Sequence, residues 1–199
     1  MEEISRKSLL YKSGLGFWCI NHVHGCSHGC RSPCYAWMMA HSRGRVETYS
    51  DWCRPYLVAN AVELLGKELN RMKSKPDNIH LCLTTDPFMY GYPEVTELTL
   101  QLVELINSYG ITCSTLTKGI MPLILADSGR FSVNNTYGIS LISLDEEFRK
   151  KWEPGAAPYA DRIGALRELH DLGCSTLVHI EPYPTPNIIS QDLSSLLEE

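Results

Sequence analysis

Residues 78–118 read NIHLCLTTDPFMYGYPEVTELTLQLVELINSYGITCSTLTK. The first eight, 78–85, form an apolar run that ends in two threonines, as a buried strand does. Residues 94–108 repeat apolar side chains at helical spacing, and Gly110 follows as a stop. Residues 111–118 form a second apolar run, closing on Thr117 and Lys118. Strand, helix and strand of these lengths make one β/α unit with parallel strands.

The same alternation extends both ways. Towards the N-terminus, GLGFWCIN (14–21) reads as a strand and YAWMMAHS (35–42) as a helix. Pro55 is expected to open a long amphipathic helix over 55–73, with Leu57, Ala61, Leu64, Leu65 and Leu69 on one face. Towards the C-terminus come a short helix at 121–129, a strand at 135–144, a helical turn or two at 144–152 and a helix at 158–173. A fifth strand at 174–183 and a half-helix at 190–199 complete the chain. The reading is one α/β domain over 1–199 with a parallel sheet covered by helices. A doubly wound sheet and a complete or partial TIM-like β/α barrel of five to six units both fit. In either case chemistry belongs at the C-terminal ends of the strands, where Asn21, Thr84 to Asp86, Lys118, Ser143 and Glu181 fall.

Composition narrows the class. The chain has 199 residues, 44% hydrophobic and 21% charged, as a globular domain has. The net charge is -5. Residues 1–60 carry seven Lys/Arg against four Asp/Glu, and the remainder eleven against nineteen. A general nucleic-acid binder is disfavoured, while a local basic patch of Arg31, Arg43, Arg45 and Arg54 is left near the N-terminus. That patch faces either a phosphate-bearing substrate or solvent. No apolar run reaches the ~18 residues of a membrane span. No export signal core is legible, so the cytoplasm is the expected location.

Eight cysteines are many for such a chain. Cys82, Cys113 and Cys174 sit in or beside apolar runs, as small buried hydrophobes do. Cys26, Cys30 and Cys34 instead share the glycine-rich loop HGCSHGCRSPC at C-x3-C-x3-C spacing. Three close thiols without a fourth suit an iron–sulfur cluster with one open iron. Zinc is the alternative if Cys19, His22, His24 or His28 completes the set, and redox-inert cysteines are the third reading.

GCSHGC-x3-CYA resembles the cluster loop of radical S-adenosylmethionine (radical SAM) enzymes, above all the branch related to spore photoproduct lyase. LTTDPF (83–88), STLTKG (114–119) and the stretch 138–166, with its serine strand, EPG and arginine helix, resemble that branch in the same order. The resemblance implies a 4Fe–4S cluster on Cys26, Cys30 and Cys34, with S-adenosylmethionine on its open iron. It implies reductive cleavage of that cofactor to a 5′-deoxyadenosyl radical, which abstracts hydrogen from an unidentified substrate. An electron donor such as flavodoxin or ferredoxin is implied as a partner. Lys118 is implied at the methionine carboxylate, and Ser140 at the same cofactor. Thr84, Thr85 and Asp86 are implied at the methionine amino group, with a turn cap as the other reading of Asp86.

Two features depart from the family. Arg31-Ser32-Pro33 adds one residue to the loop, and Pro33 stands where an aromatic normally meets adenine; Tyr35 or Trp37 is expected to substitute. Five β/α units are legible where the family has six, as in a minimal or C-terminally truncated form. Glu181 is expected at the ribose or substrate, or paired with Arg162 or Lys118. Residues 153–155 read as a tight turn, and Tyr90, Tyr92 and Trp152 as the substrate mouth or as ordinary surface aromatics. A cluster-bearing electron carrier or sensor, and a zinc-bound structural or nucleic-acid module, are the competing functions.

Overall fold

The computed structural model describes residues 1–31 and 34–198. The expectation about Pro33 lies outside the described residues.

Five strands form the parallel sheet: β3 (Trp18–Ile20), β6 (Asn78–Leu81), β7 (Thr112–Thr117), β8 (Thr136–Ser140) and β9 (Ser175–His179). They neighbour one another in chain order, and every pairing among them is parallel. A doubly wound sheet reverses its strand order at a switch point. This sheet has no reversal, so the doubly wound alternative falls. A sixth strand, β2 (Leu10–Lys12), pairs antiparallel with β3 at the edge.

Side-chain period explains the layers. β7 alternates half-buried and buried residues, placing Cys113, Thr115 and Thr117 on the inner face. The crossover helix α4 (Pro93–Ser108) buries Val95, Thr99, Leu102, Val103 and Ile106, a single stripe at helical spacing. Helix α3 (Ala61–Arg71) buries Ala61, Leu65 and Leu69 in the same way. Helix α6 (Tyr159–Asp171) buries Tyr159, Leu166 and Leu169, with Arg162 among them. These stripes pack on Ile79, Leu81, Cys113 and Ile139 to make the main core. The remaining helices are short: α1 (Tyr35–Ser42), α2 (Tyr49–Trp52), α5 (Glu146–Trp152) and α7 (Leu193–Leu197). No helix among the described residues is long and apolar enough to cross a membrane.

The structure corrects the sequence reading in three places. Pro55 opens no helix. Tyr56–Val58 is a strand, β5, and α3 starts only at Ala61. β5 lies between β1 (Glu2–Ile4), to which it is parallel, and β4 (Val23–His24), to which it is antiparallel. These pairings join segments more than thirty residues apart in the chain and outweigh local helical periodicity. Residues 14–17 are the turn of the β2–β3 hairpin, closed by the Ser13 N–H to the Phe17 carbonyl at 2.9 Å. β9 is an edge strand with Leu177 and Val178 largely exposed, so its apolar run is not covered on both faces.

Candidate functional site

The cysteine loop leaves the sheet after β3 and β4 and enters α1, whose N-cap is Cys34. Gly25 takes φ +76°, and a Cβ there would lie 2.6 Å from the Trp52 carbonyl oxygen. That approach lets the Cys26 N–H donate to the same oxygen at 2.9 Å. Downstream, the Tyr49 hydroxyl donates to the Cys30 carbonyl at 2.5 Å, and the Arg31 N–H to the Trp152 carbonyl at 2.8 Å. Gly155 packs against the loop so closely that a Cβ would stand 2.2 Å from the Ser27 carbonyl oxygen. Its N–H donates to the His28 carbonyl at 2.9 Å.

The three thiols share one electrostatic environment. Burial pushes Cys26 well above the ordinary thiol range, and Asp86, Cys30 and Cys34 push it further. Cys30 is pushed up to about 12 by burial, against the opposing field of Lys118. Thiols in such a setting ionise when a cation binds and neutralises them. Among the described residues no three His, Cys, Asp or Glu side chains converge closely enough to hold a single metal ion.

Three of the four residues that zinc would recruit are engaged elsewhere, and the fourth, His24, lines a cavity that none of the loop thiols borders. The Cys19 thiol donates to the Phe17 carbonyl at 3.8 Å. The Thr99 hydroxyl gives its proton to backbone carbonyls, those of Pro87 and Val95, so His22 Nε2–H donates to Thr99 Oγ1 at 2.7 Å. His22 Nδ1 then accepts from the Cys82 thiol at 3.5 Å. His28 Nε2 accepts from the Tyr90 N–H at 3.2 Å, which places its ring proton on Nδ1, 3.5 Å from Asp86 Oδ2. With His24 turned to that cavity, the donors left at the centre of the loop are the three thiols, a set that fits a 4Fe–4S cluster with one open iron.

Asp86 is buried and saturated. Its Oδ1 accepts from the Phe88 N–H at 2.9 Å and the Thr117 hydroxyl at 2.5 Å. Oδ2 accepts from the Lys118 N–H at 2.8 Å and faces His28. One carboxylate therefore ties the ends of β6 and β7 to the cysteine loop, using the acceptor sites it has. The turn-cap reading of Asp86 describes part of this arrangement.

Beside the loop lies an ion triad. Glu153, 1% exposed, bonds Lys118 Nζ through Oε1 and accepts from Arg162 Nη2 at 3.1 Å through Oε2. Burial would raise the Glu153 pKa, but Lys118 and Arg162 together hold it below the usual carboxylate range. Arg162 is fully buried and also donates to the carbonyls of Ala157 and Ser140, each at 2.9 Å. Lys118 keeps 20% of its side chain exposed. Glu153 is thus more than a turn residue. Glu181 pairs with neither cation: its side chain is 78% exposed and lies 3.5 Å from His179, because the chain turns to solvent where β9 ends.

A cavity of about 760 Å³ opens on the other side of the loop. Gly25 and Tyr35, which flank the cysteines, line it together with Asn21, Thr84 and Thr85. Tyr35 bonds the Leu83 carbonyl through its hydroxyl. Ser140, Lys118 and Asp86 do not border this cavity, nor do Tyr90, Tyr92 and Trp152. Of the basic patch, Arg43, Arg45 and Arg54 line it and Arg31 does not; Arg6 and Lys12 join them unforeseen. The Glu153–Arg162 pair was also missed. An arginine on the apolar stripe of α6, between Tyr159 and Leu166, is the signal that points to a buried acid.

Burial sets a pH dependence. His22 is held neutral, with its pKa lowered to about 3, and burial also lowers that of His28. The unfolded chain takes up these protons first, near pH ~6.5. Stability of the metal-free protein is therefore complete above that pH and falls below it, by about 2 kcal/mol from His22 alone at pH ~5. Urea midpoints compared at pH 7.5 and 5 check this; equal midpoints would contradict it.

A family model described as the radical SAM superfamily matches residues 20–198. An uncharacterised protein of Acidianus two-tailed virus is 22% identical over 187 residues, covering 91% of this chain and 60% of that protein. Spore photoproduct lyase complexed with dinucleoside spore photoproduct superposes with a TM-score of 0.66 at 18% identity, over 92% of this chain and 52% of the lyase. A lyase mutant with bound AdoMet and dinucleoside spore photoproduct gives 0.64 at 17% identity, over 89% and 50%. The chain thus spans half to three-fifths of the length of these relatives, and the likeness to the lyase is one of fold.

Proposed function

The chain belongs to the radical SAM superfamily, and from that premise we propose that it is an enzyme that holds a 4Fe–4S cluster on Cys26, Cys30 and Cys34 and cleaves S-adenosylmethionine reductively. The observation that carries the reading is the three-thiol loop pinned beside Lys118 at the strand ends. Held there, the cluster would supply the one electron needed for reductive cleavage of the cofactor's sulfonium bond, the chemistry that yields methionine and a hydrogen-abstracting 5′-deoxyadenosyl radical.

The chain's own residues bind and orient. Glu153 answers two cations with one carboxylate, which leaves the partly exposed Lys118 able to meet the methionine carboxylate. Thr84, Thr85 and Tyr35 line the cavity at the loop's flanks and would hold the rest of the cofactor. Asp86 acts as a positioning residue, since its oxygens already hold the Lys118 backbone and His28. Ser140 contributes through its carbonyl, which fixes Arg162. Glu181 has no part in this reading. The parallel sheet is taken as an open partial barrel, and residues 1–199 as one core domain. A cytoplasmic setting and a flavodoxin- or ferredoxin-type electron donor complete the proposal.

Lys118→Ala tests the cofactor geometry. A charge-assisted contact to a carboxylate contributes about 1.5–3 kcal/mol. Calorimetric titration of the reconstituted variant should show S-adenosylmethionine bound about ten- to a hundred-fold more weakly, at full iron content. Unchanged affinity would remove Lys118 from the site.

A further inference from the structure

The cavity carries more positive charge than the proposed cofactor calls for. Arg6, Lys12, Arg43, Arg45 and Arg54 line it, against one carboxylate, that of Asp51. Asp51 is engaged in capping α2, accepting from the Thr48 N–H at 3.1 Å and its hydroxyl at 2.6 Å, and it reaches only Arg54, at 4.0 Å. Among the described residues, Arg6, Lys12, Arg43 and Arg45 form no ion pair within 4.0 Å. Arg6 is half-buried, and its guanidinium donates to the Asn21 carbonyl at 3.2 Å, at the end of β3. Burial and then the charge of Arg45 work against its ionised form, and Tyr11 and the Glu68 carboxylate offset them only in part. Repulsion of this kind, kept in a concave site, is relieved when an anion enters.

S-adenosylmethionine does not supply that anion. Its sulfonium and ammonium outnumber its carboxylate, so it is itself a cation. The cysteine thiols do not line the cavity either. The chain as a whole is acidic, with net charge -5, so the cations are concentrated here rather than spread along a surface track. A compact ligand with two or more negative oxygens matches a group of arginines that can each present a planar fork of donors.

We propose that this cavity binds a compact organic phosphate, a phosphomonoester or diphosphate, through Arg6, Arg43 and Arg45. That this ligand is the substrate rests on the radical SAM reading above; that it binds does not. Its uncharged part would point towards the cysteine loop, next to the cofactor at Thr84, Thr85 and Tyr35.

The test uses the full chain without iron or cofactor. Pyrophosphate and adenosine 5′-monophosphate are titrated calorimetrically, with adenosine as the uncharged control and a single-stranded dodecamer without terminal phosphates as the polymeric source of phosphate. The comparison is with the double variant Arg43→Gln, Arg45→Gln, whose two side chains are exposed; an unaltered melting temperature shows that it folds. The parent should bind both phosphates and not adenosine. The double variant should bind them about tenfold more weakly or worse. Three results would overturn the proposal: equal affinity in parent and variant, no binding of either phosphate at millimolar concentration, or binding of the dodecamer alone. Phosphate binding in a protein that later fails to cleave S-adenosylmethionine would leave the site standing and sink only its role as a substrate chamber.

Discussion

Glu153→Ala is expected to destabilise the protein by about 3–5 kcal/mol, because breaking a buried ion pair strands its partners. Arg162 would stay fully buried with no anion to answer its charge, left with the carbonyls of Ala157 and Ser140 and the Tyr159 ring, and Lys118 would lose its partner. Urea unfolding of the metal-free protein measures the effect. Glu147→Ala is the control: its pair with Lys150 is exposed, so no measurable change is expected. Acid titration gives the same carboxylate a second signature. Its folded pKa is depressed, so its contribution is complete above the unfolded carboxylate value near ~4.3 and is lost as pH falls through the lower folded value. A variant as stable as the parent would show that the triad adds nothing to the fold.

The second large effect is on metal content. Cys26→Ala, Cys30→Ala and Cys34→Ala should each reduce reconstituted iron to background, since a three-thiolate site has no spare ligand. Cys53→Ala should retain it. Cys53 packs against the same group, Ala36, Ala40 and Trp52, as Cys26 and Cys34 do, but it stands at the C-cap of α2, outside the loop. Full iron content in any of the three loop variants would refute the ligand assignment.

Much of this was legible in the residues. The apolar runs at 78–85 and 111–118 hold the parallel strands β6 and β7, whose buried faces, with Ile79, Leu81 and Cys113, join the main core while the other face is half-buried. Lys118 directly follows β7, whereas β6 ends at Leu81, short of the expected 85, and Asp86 lies in the turn beyond it. The short strands β1, β2, β4 and β5 were not legible. Two or three residues each, they exist through pairing, β2 with its hairpin partner and β1, β4 and β5 with distant segments, rather than through local preference. Glu153 was hidden for another reason. Glu-Pro-Gly reads as a turn, and only the close approach of Gly155 to the cysteine loop carries the carboxylate inward to Arg162. Glu181 erred the opposite way: a strand-end acid looked like a site residue, but β9 ends at an exposed edge. The cavity's charge was half visible. Arg43, Arg45 and Arg54 form a local cluster, whereas Arg6 and Lys12 arrive through the β1–β5 and β2–β3 pairings.

Reductive cleavage of the cofactor is the measurement that bears most directly on the account. The full chain is reconstituted anaerobically with iron and sulfide, reduced with dithionite and incubated with S-adenosylmethionine. The account predicts a brown protein that releases 5′-deoxyadenosine and methionine in equal amounts, and no release from Cys30→Ala. A parent protein that carries a full 4Fe–4S cluster, binds S-adenosylmethionine and still releases no 5′-deoxyadenosine would contradict it.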